Sequence, residues 1–358
     1  MPRRGPDPFE RVRKFSHKTF KEGAAKYLAE FDGKDKDRPM YALQSVVPYI
    51  GDTRMWEVDS DSLIQYKDDR ARGQGFFIGR DPAMAGTINK EIAVTATVLR
   101  AAWQEWGWIL EPRKLKRVKV KKGGTREPYQ LSWEEQDALF KLLPWGDSAC
   151  LFCVNTGVRK SELFGLRWSD KVEIPELDIF AFILDGDDTK NGEDRPVICN
   201  SIARSVVEGQ ESKRKDIAKK IREIEVMLAQ KLDNKTKRRL NRKKRRLEAV
   251  RRSPYVFPSY MGKRITSTSN VFNPAWIEAG LPDTRLVKKG VHNLRHTYGC
   301  RLRACGVSDE DRDYLMGHNG VSLTQHYAMP TVERLSERAE RIVERREMTI
   351  LRVVRSVA

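Results

Sequence analysis

The chain has 358 residues, enough for two domains, and its 68 Lys or Arg against 50 Asp or Glu give a formal net charge of +18. No apolar run approaches the ~18 residues of a membrane span, and no apolar stretch follows the basic tail at residues 1–14, so we expect a cytoplasmic protein rather than a membrane or secreted one. The positive charge favours a polyanionic partner, with nucleic acid as the first candidate, because basic side chains bind phosphates and release counterions.

Residues 15–110 predict a small domain of four helices. An apolar residue recurs every three or four positions from Phe20 to Phe31, and a later helix is expected to begin at Thr87 as its N-cap. Pro48 with Gly51 indicates a break between helices, and a further helix start is expected near Ser60.

Residues 111–130 differ sharply in composition and predict a domain linker. This segment carries eight basic residues against two acidic ones, together with a Gly-Gly pair and two prolines. A basic linker could contact a nucleic-acid backbone, although a solvated tether is the alternative. The candidate DNA contacts are Lys114, Lys116, Arg117, Lys119, Lys121 and Lys122.

A second domain is expected over residues 131–345, followed by a tail at 346–358. Ser132 with Glu135 forms a capping box that predicts a helix start, with an apolar face at Leu139, Leu142 and Leu143. Further along, the apolar runs DIFAFILD and RPVICN flank an Asn191-Gly192 turn signal. A small β-hairpin is therefore predicted inside a mostly helical domain.

An inserted basic helical hairpin is predicted at about 208–252. This segment holds eighteen Lys or Arg and seven Asp or Glu, an excess of 18 − 7 = +11. Its apolar positions keep helical spacing on both sides of a break at LDNK. The apolar stripe of the two helices is narrow, so we expect the hairpin to pack against DNA, another subunit or the rest of the domain. The alternative is a solvated, frayed arm.

The five cysteines do not suggest a disulfide framework, because their number is odd. Cys150 and Cys153 form a C-x-x-C, but their flanks are apolar at helical spacing and no second C-x-x-C completes a zinc site. We therefore interpret them as buried core thiols.

Polar residues that could take part in a reaction lie in three segments. In TGVRKSELFGLRW, Arg159 and Glu162 are three apart, so a carboxylate can hold a guanidinium, although such pairs are common on surface helices. In VHNLRHTYGCRL, His292 and Arg295 have the same spacing. Farther on, two short helices are expected to begin at the caps Ser308 and Ser322, with His318 in the turn between them and Tyr327 on the second.

Clustered histidines first suggest zinc, and His292 with His296 has the spacing of a helical metal pair. The residue before His296 is however Arg295, and a guanidinium there would repel a metal ion. A phosphate site explains the set better, since two arginines can donate to nonbridging oxygens and a tyrosine hydroxyl can attack phosphorus. We expect no metal and no organic cofactor.

Taken together, TGVRKSELFGLRWSD, TKNGEDRPV, HNLRHT, MGH and TQHYA resemble the successive motifs of the tyrosine recombinase (phage integrase) family, in the family's order. The resemblance implies that Arg159 and Arg295 clamp the scissile phosphate and that Tyr327 attacks it to give a 3′-phosphotyrosine. It implies hydrogen bonds and proton transfer from His292 and His318. The same resemblance makes Lys190 the general acid for the 5′-oxygen, Glu162 the support of the first arginine, and His296 a neighbour of the site.

The resemblance also implies the fold, a mainly α protein with a small antiparallel sheet. A helical, SAM-like domain that binds the core DNA site would precede the catalytic domain. Four protomers would assemble on double-stranded DNA, in the cytoplasm with the nucleoid, helped by DNA-bending proteins. The basic insert departs from the family pattern, and the few residues before 17 lead us to expect no arm-type DNA-binding domain.

Two alternatives use the same fold: a type IB topoisomerase and a non-catalytic DNA-binding regulator. The regulator predicts a broken active-site set, whereas all six expected residues are present. An apolar stripe from Val332 to Ile342 indicates a final helix that could dock on a neighbouring protomer or on its own domain.

Overall fold

The computed structural model describes residues 15–33, 35–112, 115, 118, 120, 127–186, 192–284, 287–317 and 330–346. The chain divides into two compact units, Met1–Thr125 and Arg126–Ala358. Among the described residues, no helix has both the length and the apolar character needed to cross a membrane. The mainly α fold with one small antiparallel sheet agrees with the prediction.

Within the described part of the first unit the helices are α1 (Phe20–Glu30), α2 (Asp37–Ile50), α3 (Ile64–Arg72) and α4 (Ala85–Gln104). Thr19 caps α1 in a capping box with Glu22. The helices enclose an aromatic and aliphatic core. One buried carboxylate, Glu91, accepts hydrogen bonds from Tyr66 and Arg70, so the core contains a satisfied polar group.

Three boundaries in this unit differ from the sequence prediction. The helix expected to have Thr87 as its N-cap residue has Met84 in that place, three residues earlier. Pro48 does not break the chain but lies inside α2, and the break comes at Gly51. The core also extends past residue 110, because Leu115 and Val118 in the basic segment are buried in it.

The first long helix of the second unit begins where the sequence predicts. Ser132 and Glu135 form the capping box of α5 (Trp133–Leu142). On its apolar face Leu139 is buried, but Leu142 is 37% exposed and does not belong to the core. The short helices α6 (Leu151–Thr156) and α7 (Lys160–Gly165) follow.

The sheet has one strand more than the predicted hairpin. Strands β3 (Ile179–Leu184) and β4 (Arg195–Ile198) pair antiparallel, as expected, and β2 (Lys171–Ile174) pairs antiparallel with the other edge of β3. A separate two-residue strand, β1 (Glu127–Pro128), pairs parallel with β5 (Val287–Lys288). Cys150, Cys153 and Cys199 are buried free thiols, which agrees with the prediction for the first two, and burial raises the pKa of Cys153 to about 12.

The predicted helical hairpin is present and consists of α8 (Ser201–Leu228) and α9 (Asn234–Arg251). It does not begin at residue 208, because α8 runs unbroken from Ser201 and buries Val206 and Val207 in the domain core. Farther out, Ile221 and Ile224 of α8 and Leu240 of α9 are buried where the two helices pack together. We call α8 and α9 the basic hairpin.

The remaining described helices are α10 (Ser269–Glu278), α11 (His292–Ala304), α12 (Asp309–Met316) and α13 (Val332–Glu340). Ser308 caps α12, as predicted. The final apolar stripe packs on its own domain in this chain. Its residues Leu335, Ala339 and Ile342 are buried with Tyr298 and Leu302 of α11.

Candidate active site

Arg159 enters the site at the junction of two short helices. It has an extended backbone and serves as the N-cap residue of α7. Its backbone N–H donates to Glu162 Oε2 at 2.8 Å, and its Nη1 donates to Glu162 Oε1 at 2.7 Å. The expected ion pair is therefore present, but it forms across a helix N-terminus rather than along a helical face.

The carboxylate of Glu162 holds two guanidinium groups. Besides the bonds from Arg159, it accepts from Arg195 Nη1 at 2.5 Å, and its side chain is 1% exposed. Burial acts to raise the pKa of Glu162, but the charges of Arg195 and Arg159 outweigh burial, and the pKa is lowered. Glu162 is thus an ionised group inside the protein that fixes two arginines.

Arg195 is a site residue that sequence reasoning missed. It is the first residue of β4, on the inward side with Val197, and its Nη2 donates to the carbonyl of Leu315 at 3.1 Å. Sequence separation hid it, since it is 33 residues from Glu162. The available signal was a basic residue at an inward position of an otherwise apolar strand.

Arg295 reaches the site from α11. Its Nη1 donates to the carbonyl of Gly157 at 2.5 Å, and the residue is 3% exposed. Burial, and then repulsion from Arg195 and Arg159, lowers the pKa of Arg295 to about 9. The three guanidinium groups are therefore close enough to act on one another electrostatically.

The start of α11 is tied to the chain that enters the domain. Asn293 Oδ1 accepts from the backbone N–H of Tyr129 at 2.5 Å, and Thr297 Oγ1 accepts from that of Leu131 at 3.1 Å. These bonds fix the helix that carries His292 and Arg295. His292 is exposed as the first residue of α11.

His296 lies one helical turn beyond His292, since the two are four residues apart in α11. It is half-buried, with its Nε2 3.5 Å from Cys300 Sγ.

The arrangement suits a singly or doubly charged anion. Arg159 and Arg195 pair with Glu162, and Arg295, held by the carbonyl of Gly157, adds a third guanidinium group, so the set has a surplus of 3 − 1 = 2 positive charges. Planar guanidinium forks match the nonbridging oxygens of a phosphate, and they are already held in place by protein acceptors. Arg159 retains 19% side-chain exposure, so it can reach a ligand from solvent.

A model of the phage integrase family matches residues 140–334, which is 195 of the 358 residues. The chain belongs to the phage integrase family. It is therefore a tyrosine site-specific recombinase, as the motifs in the sequence predict. No curated protein matches the sequence of this integrase-family chain at a significant level.

Several solved integrase structures share the fold. The Tn1549 transposon integrase in complex with circular intermediate DNA is 18% identical, with a TM-score of 0.54, covering 90% of this chain and 98% of that one. A lambda integrase dimer bound to a COC′ core site is 14% identical, with a TM-score of 0.57, covering 98% and 85%. A lambda integrase tetramer bound to a Holliday junction is 14% identical, with a TM-score of 0.56, covering 89% and 83%.

The family match spans every candidate active-site position. The structure brings together Arg159, Glu162, Arg195 and Arg295, and it places His292 at the start of the helix that carries Arg295. Other predicted positions lie outside the described residues. These are Lys190, His318, Tyr327, the cap at Ser322, and the linker residues Lys114, Lys116, Arg117, Lys119, Lys121 and Lys122.

Gly317 connects the end of α12 to the arginine cluster. Its carbonyl accepts from Arg159 Nη2 at 2.9 Å, and its φ is +59°, a left-handed conformation that favours glycine. A Cβ atom on Gly317 would lie 2.0 Å from Arg195 Nε. The absence of a side chain is what allows this backbone to approach both arginines.

We expect Gly317→Ala to destabilise the domain and to reduce DNA cleavage strongly. The left-handed backbone costs an alanine about 1–2 kcal/mol, and displacement of Arg195 adds roughly 1–3 kcal/mol. Chemical denaturation and a cleavage assay would measure the two effects. Gly306→Ala is the matched control, because its φ is +70° and no atom lies within 4 Å of its Cβ position. Equal losses in the two variants would contradict the expected clash.

Proposed function

We propose that this phage integrase family member cleaves and rejoins duplex DNA through a covalent 3′-phosphotyrosine at Tyr327. The observation that carries the proposal is the pairing of Glu162 with Arg159 and Arg195, together with the buried Arg295 held at Gly157, which gives this group a surplus of positive charge. A phosphodiester has the charge and the oxygen geometry to complete this cluster.

In the proposed reaction, Arg159 and Arg295 hold the nonbridging oxygens of the scissile phosphate. The Tyr327 oxygen forms a bond to phosphorus while the bond from phosphorus to the 5′-oxygen breaks. Lys190 supplies the proton that the departing 5′-oxygen takes up, and His292 and His318 donate hydrogen bonds and assist proton transfer. Attack by a 5′-hydroxyl reverses these steps, so rejoining needs no ATP.

Glu162 and Arg195 act as positioning residues in this scheme. Glu162 fixes Arg159 from two sides, and Arg195 neutralises the rest of the buried carboxylate while it also binds the carbonyl of Leu315. Because both are nearly inaccessible to solvent, they orient the arginine that meets the phosphate rather than contacting DNA themselves.

The proposed partners are double-stranded DNA and three further copies of the chain. Support comes from the solved relatives, which include a lambda integrase tetramer bound to a Holliday junction. We assign residues 15–125, including the basic segment whose Leu115 and Val118 belong to the same core, to core-site binding, and residues 131–345 to catalysis. The biological task would be integration or excision of a mobile element, assisted by DNA-bending proteins in the nucleoid of the cytoplasm.

The test is covalent trapping on a nicked suicide duplex made from DNA that flanks the gene, in the presence of EDTA. We expect an adduct stable to denaturation, whose tryptic phosphopeptide is residues 313–334. Specific DNA binding without any adduct would favour the non-catalytic regulator. A requirement for metal would overturn the mechanism.

A further inference from the structure

The positive charge of the basic hairpin is concentrated in its second helix. Within α8, seven Lys or Arg are balanced by five Asp or Glu. Within α9, ten Lys or Arg face a single acid, Glu248. α8 packs on the domain core through Val206 and Val207, whereas α9 packs against α8, so the larger charge lies on the outer helix of the hairpin.

Most of the α9 cations are exposed and form no ion pair with an acid in the described part of the chain. Among the ion pairs of the described residues, Lys244 is the α9 cation with acidic partners, at 2.7 Å from Glu225 and 3.9 Å from Glu248. The exposed set is Lys235, Lys237, Arg238, Arg239, Arg242, Lys243, Arg245, Arg246 and Arg251. Like charges four residues apart on a helix repel each other, so these exposed cations destabilise α9 in the absence of a ligand by roughly 0.2–0.5 kcal/mol per pair.

Packing defines which side of α9 is available. Leu240 is buried against α8, and Leu247 and Val250 are half-buried on the same stripe. Arg238, Arg242 and Arg245 have the spacings of four and three that place them together on another, exposed side. This outer face extends over about 10 Å along the helix axis, a length that spans several phosphates of duplex DNA.

A series of contacts links α9 to the active-site helix. The Arg246 guanidinium lies over the ring of Tyr260 at 5.2 Å, in the loop that follows α9. The same loop continues to Arg264, whose Nη2 donates to the carbonyl of Ser161 at 2.7 Å. Ser161 lies in α7, the helix that Arg159 caps. The base of α9 is therefore fixed to the element that positions the first catalytic arginine.

We propose that the outer face of α9 binds the phosphate backbone of duplex DNA that flanks the strand-exchange site. This inference rests on the proposed function for its DNA substrate, and it assigns a second, sequence-independent contact to the inserted hairpin. The recognition is mainly electrostatic, because cations dominate this face, which also carries the exposed amide of Asn241. DNA binding relieves the repulsion among the α9 cations.

The test compares binding of the full chain to two duplexes, one limited to the core site and one extended on both flanks. The test variant is Arg238→Gln with Arg242→Gln and Arg245→Gln. The control is Lys215→Gln with Lys219→Gln and Arg222→Gln, three exposed α8 cations with the same spacing and charge change. Affinity is measured by fluorescence anisotropy over a range of salt concentrations.

For the extended duplex, we expect the α9 variant to lower the slope of log affinity against log salt by about 3, which is ~0.9 for each lost phosphate contact. We expect this slope to change by less than about 1 for the α9 variant on the core duplex and for the α8 control. An unchanged slope, or equal losses from α8 and α9, would overturn the proposal. The proposal would also be overturned if the α9 variant kept its affinity for DNA but lost binding to an acidic protein.

The covalent trapping assay separates this inference from the proposed function. We expect the α9 variant to form the Tyr327 adduct on the core duplex at the wild-type rate, because α9 lies outside the arginine cluster. If the wild-type chain forms no adduct, the proposed function fails, whereas the salt slopes still report whether α9 binds DNA. Thermal unfolding of both triple variants verifies that they remain folded.

Discussion

Tyr327→Phe is expected to abolish the covalent adduct while leaving DNA binding intact. The substitution removes the oxygen proposed to attack phosphorus, so cleavage should fall by at least about 10³-fold. Binding should persist because the arginine cluster is unchanged. Denaturing gels on the suicide duplex report cleavage, and fluorescence anisotropy on the same duplex reports binding.

Tyr314→Phe is the matched control for this experiment. Tyr314 lies in the same tryptic peptide as Tyr327, but it is in α12 and is partly buried against the cluster that includes Leu315 and Leu335. We expect this variant to form the adduct at the wild-type rate. If the adduct survives Tyr327→Phe and disappears with Tyr314→Phe, the nucleophile is Tyr314 and the assignment to Tyr327 is wrong.

Local structure was largely predictable from the sequence, because local rules govern it. The capping box at Ser132 and Glu135 has the structure that its spacing predicts, since the two side chains satisfy backbone donors three residues apart. The hairpin strands β3 and β4 also agree with the prediction. The ion pair of Arg159 and Glu162 was predicted for the same reason, as both partners lie within one turn.

Features that depend on tertiary packing could not be predicted in this way. Nothing near Arg195 in the sequence indicates that it meets Glu162, because the contact exists only when β4 packs beside α7. The carbonyl acceptors at Gly157 and Gly317 are likewise products of tertiary packing. Composition places the start of the hairpin at residue 208, where the basic excess begins, whereas α8 begins at Ser201 and its first buried residue is Ala203.

Glu162→Gln is expected to be the most destabilising conservative change in the cluster. The carboxylate accepts from Arg159 and Arg195 on different oxygens, so an amide would turn an N–H donor toward one of two guanidinium groups. Removing one partner of a buried ion pair typically costs about 3–5 kcal/mol. Chemical denaturation followed by tryptophan fluorescence measures this loss, and the suicide duplex measures the accompanying loss of cleavage.

Glu173→Gln is the control for the loss of one carboxylate charge. Glu173 pairs with Lys171 at 2.9 Å, but its side chain is 65% exposed, so solvent screens the pair and we expect a change of no more than about 0.5 kcal/mol. If Glu162→Gln lowered the free energy of unfolding as little as Glu173→Gln, the buried cluster would tolerate an unpaired arginine.

The lowered pKa of Glu162 also sets the pH range of this effect. Because its folded-state pKa lies below the ~4.3 of an unfolded glutamate, its contribution is fully present above about pH 5 and is lost as the pH falls through the folded value. We therefore expect the stability difference between wild type and Glu162→Gln to be constant from pH 6 to 8 and to shrink in acid. A difference that grows in acid would contradict the assignment of an ionised Glu162.

Adding Arg195→Met to Glu162→Gln separates the two roles of the carboxylate. Removing the second buried charge should recover part of the lost stability, with a coupling energy on the order of 0.5–3 kcal/mol, because Arg195 would no longer be buried without its carboxylate. Cleavage should stay low, since Arg159 still lacks the charged oxygen that orients it. Recovery of stability without cleavage identifies Glu162 as a positioning residue for Arg159, whereas recovery of both would mean that it serves only to neutralise Arg195.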